Sequence, residues 1–285
     1  MKCFYHNDLD GRCAGAIVAQ YRNNYNKEDF FEVDYVMELP LDKVEDYEEV
    51  WFVDYSFKEN TLWVLDKLVY EKHCHVIWID HHTSSINLQK QDKFAETILG
   101  IRKDGISGAA LTYMYCYNKE FNDIPYYIKL VSDYDCWQYQ YEPDTTYFKI
   151  GMETEPFDAL DKVWMNINMI SDDYITKEII GKGELIKGFI DNDNTYYREH
   201  FAYESEIAGH KCLVVNKKTN SWVFGEKYSE YPLVMIWVFD GSKFTYSIFS
   251  SNKDIDCSKI AESYGGGGHK GAAGFSSTEL LFKKL

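Results

Sequence analysis

Three short clusters of acidic and histidine residues carry the side chains of this sequence that are best suited to chemistry. Each cluster directly follows a short apolar run, and they read His6-Asn7-Asp8-Leu9-Asp10-Gly11, Val53-Asp54-Tyr55-Ser56 and Ile79-Asp80-His81-His82. Carboxylates with a few imidazoles can bind two divalent cations about 4 Å apart, which activate a water molecule and hold the oxygens of a phosphoryl group. The three clusters therefore indicate metal-assisted hydrolysis of a phosphate ester.

The spacing of the first cluster places its alternate side chains on one side of an extended chain. His6, Asp8 and Asp10 can thus project into one cleft, and Gly11 allows the backbone to turn sharply afterwards. Asp54 is a candidate bridge between two ions. The third cluster, Asp80, His81 and His82, offers a ligand, a supporting carboxylate and a free imidazole.

The mixture of oxygen and nitrogen ligands also indicates which ions would bind. Two Mn²⁺ ions are favoured, because nitrogen ligands suit Mn²⁺ better than the harder Mg²⁺. Mg²⁺, Co²⁺ and iron remain alternatives.

For the three clusters to converge, each must end a strand of one parallel sheet, since the carboxyl ends of such strands meet in a common crevice. Apolar residues at 14, 17, 18 and 21 recur at helical spacing after the first cluster. Apolar runs at 50–53 and 76–79 are separated by a segment with helix-like spacing. This alternation predicts an α/β domain with a doubly wound parallel sheet.

The pattern of elements changes along the second half of the chain. Helices are predicted over 107–117, 125–137, 157–170 and 174–200, followed by strands at 211–215, 233–239 and 244–249 and a helix near 258–264. We predict a metal-binding catalytic domain over residues 1–190. A smaller α/β domain with a mixed sheet is predicted over residues 200–285.

A run of four glycines, Gly265 to Gly268, precedes His269 and a series of small residues. Such a run is often a helix cap followed by a flexible linker. Glycines also allow close approach of the backbone, and their amides can bind an anion. The histidine favours the second interpretation, a phosphate-binding segment.

Composition limits the classes of partner. The formal net charge of −16 argues against binding long or duplex nucleic acid, which depends on many cationic contacts to phosphates, so a short substrate is favoured. Seven scattered cysteines without a CxxC pair indicate a reducing compartment. We expect a cytoplasmic protein without a membrane anchor, since the start of the chain does not resemble a signal peptide and the apolar run at 233–239 is too short to cross a bilayer. A homodimer is expected.

The motifs HNDLDG, VDYS, IDHH and GGGGHKGAAGF resemble, in this order, those of the DHH phosphoesterase superfamily. That superfamily includes RecJ-like exonucleases, nano-RNases, cyclic-dinucleotide phosphodiesterases and, more distantly, family II pyrophosphatases. The resemblance implies that the first metal is held by His6, Asp8 and Asp54. It also implies that the second metal is held by Asp10, Asp54, His81 and an aspartate of a fourth motif. In the segment LVSDYDCW, Asp133 is chosen for that position, with Asp135 as the alternative.

The resemblance also implies roles outside the ligand set. His82 would face the phosphate, Asp80 would orient a neighbouring imidazole, and the glycines of a DHH-associated domain would hold substrate together with His269. The glycines concerned are Gly266, Gly267 and Gly268.

One departure from the superfamily is clear. Many relatives carry Ser-Leu-Arg-Ser where this chain reads Ser247-Ile248-Phe249-Ser250. Phe249 cannot pair with phosphate, which leaves Lys270 as a candidate replacement for the missing charge.

Three functions are compatible with these observations. The leading hypothesis is a Mn²⁺-dependent phosphodiesterase that hydrolyses short oligonucleotides or small nucleotide phosphodiesters through an activated water, with His82, Asp80 and Asp54 at its catalytic centre. The second is a phosphomonoesterase or pyrophosphatase acting on 3′-phosphoadenosine 5′-phosphate or polyphosphate. The third is a nucleotide-binding sensor without catalytic activity.

Overall fold

In the computed structural model, which describes residues 1–35, 37–169 and 172–285, a parallel sheet of four strands carries the three clusters. Its order is β2-β1-β3-β4, and the strands are β1 (Lys2–His6), β2 (Phe30–Val33), β3 (Glu49–Val53) and β4 (His75–Ile79). Every neighbouring pair runs in parallel. The sheet confirms the predicted fold class, although the sequence did not indicate β2.

The two faces of this sheet are covered by different groups of side chains. On β3, Trp51 and Val53 pack into one buried cluster, whereas Val50 and Phe52 pack into another. This alternation is the period of two expected for a strand. A strand that is buried on both faces is typical of a doubly wound fold.

Helices follow or connect the strands of the first sheet. They are α1 (Leu9–Arg22), α2 (Trp63–Asp66), α3 (Thr83–Gln91), α4 (Lys93–Thr97), α5 (Gly108–Tyr117), α6 (Tyr126–Asp135), α7 (Asp144–Met152), α8 (Lys162–Met169) and α9 (Asp172–Phe201). Helix α1 contributes Ile17 to the same cluster as Trp51, and α2 contributes Leu65 to the cluster of Phe52. The predicted helix over 157–170 begins later, at Lys162, and its last residue, Ile170, lies outside the described residues. Of the helices in the described ranges, none is both long and apolar enough to cross a membrane.

The chain divides into two units, residues 1–186 and 187–285, and the division lies within α9. The assignment of a catalytic role to the first part and a substrate-binding role to the second stays a prediction.

The second unit contains a mixed sheet in the order β5-β6-β7-β8-β10-β9. Its elements are β5 (Tyr203–Ile207), β6 (His210–Asn216), α10 (Lys227–Glu230), β7 (Leu233–Phe239), β8 (Phe244–Phe249), α11 (Cys257–Ser263), β9 (Gly267–His269) and β10 (Ala272–Ser277). Strands β6 and β7 pair in parallel, and the other pairs are antiparallel. Phe249 is half-buried and packs against a core cluster of this unit.

The glycine run belongs to a β-hairpin and is not a linker. Gly267 and Gly268 pair with Gly274 and Ala273 of β10. Gly268 has a φ of 147°, and a Cβ there would lie 2.6 Å from the Cα of Ala273. A Cβ at Gly266 would lie 2.1 Å from the carbonyl oxygen of Gly274. Close approach of two backbones therefore requires glycine at these positions.

Candidate metal centre

The three sequence clusters meet at the carboxyl edge of the first sheet. His6 ends β1, while Asp54 and Asp80 directly follow β3 and β4. One ligand atom each from His6, Asp8 and Asp54 lies within 4.8 Å of the others, and the same is true of a second group, Asp54, Asp80, His81 and His82. Asp54 belongs to both groups.

Imidazole nitrogens surround the carboxylate of Asp54. His81 Nε2 lies 3.3 Å from Asp54 Oδ1, and His82 Nδ1 lies 3.9 Å from the same oxygen. His6 Nδ1 lies 3.9 Å from Asp54 Oδ2 and 2.7 Å from Asp8 Oδ2. The two oxygens of Asp54 thus face different imidazoles, an arrangement that suits a carboxylate bridging two ions.

Asp54 is almost completely buried, with 1% of its surface exposed. Neither of its carboxylate oxygens accepts a hydrogen bond within the described part of the chain. Burial, together with the nearby carboxylates of Asp10 and Asp8, raises the pKa of Asp54 well above its usual range. Because a buried carboxylate without donors is costly, its free lone pairs indicate a cation ligand.

The backbone of Asp54 is also unusual, since its φ is 54°. Few residues other than glycine adopt this left-handed conformation, and aspartate is among the more tolerant ones. Such conformations are found preferentially at functional sites. The amide of Asp54 donates a hydrogen bond of 2.9 Å to the carbonyl of Ile79, which links the ends of β3 and β4 at this point.

Asp8 serves the local structure as well as the cluster. Its Oδ1 accepts a hydrogen bond of 2.9 Å from the amide of Gly11 and so caps α1. Its Oδ2 is the oxygen next to His6. A Cβ at Gly11 would lie 2.3 Å from the carbonyl oxygen of His6. Glycine at this position therefore lets the first turn of α1 lie against the end of β1.

Asp10 lies beside the cluster and is held by the amino end of α5. Its Oδ2 accepts a hydrogen bond of 2.6 Å from the amide of Gly108, and its Oδ1 accepts one of 3.0 Å from Ala109. Burial raises the pKa of Asp10 despite these donors. Its Oδ2 lies 4.0 Å from Nε2 of His81. Asp10 thus reaches the edge of the cluster with its orientation set by the helix.

Gly108 is a residue of the site that the sequence analysis did not identify. A Cβ at this position would lie 2.6 Å from the Cβ of Asp54 and 3.0 Å from Oδ2 of Asp10. Ser107 caps α5 by accepting a hydrogen bond from the amide of Ala110. A Ser-Gly pair at a helix start is a common capping pattern, so its contact with the acidic cluster has no distinctive signal in the sequence.

Of the two aspartates of the fourth motif, the structure brings Asp135 and not Asp133 to the cluster. Oδ2 of Asp135 lies 3.2 Å from Nε2 of His81 and accepts no hydrogen bond in the described structure. The carboxylate of Asp133 instead accepts hydrogen bonds from the amides of Gln140 and Tyr141, at 2.8 and 3.1 Å, and from the hydroxyl of Thr145. These three donors occupy Asp133 in the packing of α6 against the following loop. The structure thus places Asp135 beside the cluster and Asp133 away from it, and which of the two is the ligand stays a prediction.

Asp80 is fully buried next to His82. Its Oδ1 lies 2.8 Å from Nδ1 of His82, and its Oδ2 accepts a hydrogen bond from the hydroxyl of Ser85. The hydroxyl oxygen of Ser56 lies 3.0 Å from that of Ser85. His82 is thus the imidazole that Asp80 contacts, and the expected orienting role of Asp80 stays a prediction.

The charge of the cluster favours cations. Burial alone would lower the pKa of His81. Contact with Cys136 and the charge of Asp10 outweigh burial and help to raise the pKa of His81 to about 10. Burial and the charge of Asp10 also raise the pKa of Asp135 to about 7. Protons bound to His81 and Asp135 thus neutralise part of the negative charge of the cluster. Because Asp54 and Asp135 have free buried oxygens next to imidazoles, the donor set fits divalent cations that prefer oxygen and nitrogen ligands.

Apart from His82, the predicted substrate-binding residues lie in the second unit. Gly267, Gly268 and His269 form β9, which is exposed, and Gly266 directly precedes it. His269 is followed by the exposed Lys270, and their role towards the cluster stays a prediction.

No protein-family model matches the chain, and no curated protein sequence matches it with significance. Solved structures do match it. A pGpG-specific phosphodiesterase from Vibrio cholerae has a TM-score of 0.56 at 12% identity, over 97% of this chain and 92% of that chain. The DHH domain of a member of the S1p family of ribosomal proteins has a TM-score of 0.51 at 14% identity, over 95% of this chain and 81% of that chain.

These matches extend over almost the whole chain, and at such low identity they concern its architecture. This chain therefore shares its fold with these two proteins, one of which is a DHH domain, and the superfamily that its motifs imply stays a prediction.

Proposed function

We propose that this chain is a metal-dependent phosphodiesterase that hydrolyses short oligonucleotides or small nucleotide phosphodiesters. The observation that carries the proposal is the buried carboxylate of Asp54, which has two free oxygens between the imidazoles of three histidines. The fold supports it, since a structure with the same fold is described as a pGpG-specific phosphodiesterase. The net charge of −16 favours a short substrate over long nucleic acid.

The residues that would hold the ions form two overlapping sets. His6, Asp8 and Asp54 would bind one cation, and the ligands of the other would be Asp10, Asp54, His81 and Asp135. Two Mn²⁺ ions suit this mixture of carboxylates and imidazoles. When bound, such ions neutralise phosphoryl oxygens and lower the pKa of a water molecule.

The protein itself contributes orientation and charge. His82 is about one-third exposed. Because its Nδ1 donates to Asp80, its Nε2 would donate to a phosphate oxygen in the imidazolium form. In the second unit, the imidazole of His269 and the exposed residues Gly267 and Gly268 would hold a terminal phosphate. The amide of Gly266 donates a hydrogen bond of 2.9 Å to the carbonyl oxygen of Ala261, so Gly266 would contribute close approach of the backbone.

Substitution of the two aspartates of α6 tests the ligand assignment. We expect Asp135→Asn to reduce the metal content by about one ion per chain while leaving the melting temperature nearly unchanged. Asp133→Asn is expected to retain both ions and to destabilise the fold by about 1–3 kcal/mol, because it weakens hydrogen bonds to buried groups. Elemental analysis of both variants would measure their metal content, and thermal unfolding would measure their stability. Loss of an ion from Asp133→Asn alone would contradict the assignment.

Replacement of His269 tests the role of the second unit. His269→Ala should raise KM about 10-fold, since a hydrogen bond to a charged group contributes roughly 1.5–3 kcal/mol. Its metal content should match that of the wild type. Steady-state kinetics would measure the change in KM, and elemental analysis would measure the bound metal. The control is Lys283→Ala, a change at another exposed position of the second unit. An unchanged KM would exclude His269 from substrate binding.

The proposed function itself is tested with a substrate panel after metal removal and addition of Mn²⁺. The panel contains RNA and DNA of 2 to 24 nucleotides, cyclic dinucleotides, 3′-phosphoadenosine 5′-phosphate, polyphosphate and pyrophosphate. Preferred hydrolysis of di- to pentanucleotides or of a cyclic dinucleotide would support the proposal. Preferred hydrolysis of the last three compounds would favour the phosphomonoesterase or pyrophosphatase alternative. Nucleotide binding without turnover of any compound would favour a sensor.

A further inference from the structure

A loop with an exposed tryptophan begins directly after Asp135. The indole of Trp137 is 79% exposed to solvent. Its ring contacts Tyr139 edge-on, with 6.1 Å between the centroids, and Tyr139 in turn contacts Tyr134 of α6. A single exposed aromatic side chain is normal on a protein surface, but Trp137 lies only two positions after Asp135, whose carboxylate belongs to the cluster.

The backbone of this loop is held in an uncommon conformation. Trp137 and Tyr139 have φ values of 54° and 51°, in the left-handed region that bulky side chains rarely adopt. At Trp137 this conformation ends α6 as a Schellman cap, in which the amides of Gln138 and Trp137 donate to the carbonyl oxygens of Asp133 and Tyr134, at 3.0 and 3.2 Å. The backbone that carries the exposed indole is therefore fixed by the end of the helix.

Asp133 imposes this conformation. Its carboxylate binds the amides of Gln140 and Tyr141, and its carbonyl oxygen accepts a hydrogen bond of 3.0 Å from the amide of Gln138. The side chain of Gln138 donates a hydrogen bond of 2.8 Å to the carbonyl oxygen of Gly105. The backbone of the loop is thus fixed at both of its ends, so the point from which the indole projects is set before any substrate binds.

We propose that Trp137 is a stacking platform for a nucleobase of the substrate. This inference rests on the proposed function and deepens it, because it selects substrates that contain a nucleoside over pyrophosphate and polyphosphate. Metal ions at the cluster would bind the phosphate of any ester, so discrimination between esters needs a second contact. Trp137 lies two positions after Asp135, which limits the distance between their Cα atoms to about 7 Å. A nucleoside whose phosphate lies at the cluster can reach the indole, which stacks on any base.

The test compares a dinucleotide with an analogue that lacks its bases. The Mn²⁺-loaded full-length wild type and the variant Trp137→Ala are assayed with the dinucleotide pApA and with its abasic analogue. We expect Trp137→Ala to raise KM for pApA about 10- to 100-fold, the loss typical of one stacked base. KM for the abasic analogue and kcat for both substrates should stay close to the wild-type values. Trp137→Phe should retain most of the affinity for pApA.

Tyr47 offers a matched control. It is 77% exposed, has a φ of 63° and stacks on His73 before the amino ends of β3 and β4, at the opposite edge of the sheet from the cluster. Tyr47→Ala should leave both KM values unchanged. An equal change of KM for the two substrates in Trp137→Ala, or no change for either, would overturn the stacking role. If the wild type hydrolyses neither substrate, the proposed function fails before the stacking role is tested by any variant.

Discussion

Replacement of Asp54 by asparagine is expected to abolish activity and to remove both metal ions together. Asp54 is the carboxylate that belongs to both groups of converging ligand atoms, and an amide cannot bridge two cations as a carboxylate does. Metal ions contribute several kcal/mol to transition-state stabilisation, so kcat should fall by about 10³-fold or more. Elemental analysis should find less than one ion per chain.

The same substitution is expected to stabilise the metal-free protein. Burial and neighbouring carboxylates raise the pKa of Asp54 in the folded state, so its ionised form opposes folding at every pH above the pKa that it has in the unfolded chain. Asparagine has the same shape without the charge, and it tolerates the left-handed backbone. We expect a gain of about 1 kcal/mol or more, which corresponds to roughly 2–4 °C in melting temperature. The gain should shrink as the pH falls towards about 4, where aspartate becomes neutral in both states.

Opposite changes in stability and activity separate a metal-binding carboxylate from a structural one. Asp66→Asn, at an exposed position of α2, is the control and should alter neither property. If Asp54→Asn destabilised the metal-free protein and yet retained its ions, Asp54 would be a structural residue and the bridging role would be wrong.

The architecture around the cluster could be predicted because hydrophobic periodicity determines it locally. Strands β7 and β8 have the bounds that the sequence indicates, and β1, β3 and β4 end where polar ligands begin. Strand β2 has only four residues, Phe30–Val33, too few to show a period. Its place at the edge of the sheet depends on pairing with β1, which no local pattern reveals.

Helix geometry explains why the sequence could not show which aspartate of the fourth motif faces the cluster. Residues two positions apart in a helix point about 200° from each other, so Asp133 and Asp135 face different neighbours. Which of them faces the cluster depends on the rotation of α6, and packing against α7 and the following loop sets that rotation. The glycine run shows a related limit, because its pairing with β10 involves residues that local composition describes as a linker.

Replacement of Gly108 by alanine is the second change for which a large effect is expected. The added Cβ would lie 2.6 Å from the Cβ of Asp54 and 3.0 Å from an oxygen of Asp10. Real Cβ atoms do not approach this closely, so α5 or the carboxylates must move. We expect a destabilisation of about 1–3 kcal/mol from overpacking. Activity should fall about 100-fold, since a displacement of about 1 Å at a catalytic site can have that effect.

Gly181→Ala provides the same substitution in a different environment. Gly181 lies in α9, and a Cβ there would meet nothing within 4 Å. Alanine should therefore stabilise this helix by about 0.5–1 kcal/mol through its higher helix propensity, with activity unchanged. The melting temperature should fall in Gly108→Ala and rise in Gly181→Ala, whereas kcat/KM should fall only in Gly108→Ala. If Gly108→Ala retained the metal binding and activity of the wild type, the close approach of α5 would not be what positions Asp10 and Asp54. The strand ends alone would then position the ligands of the cluster.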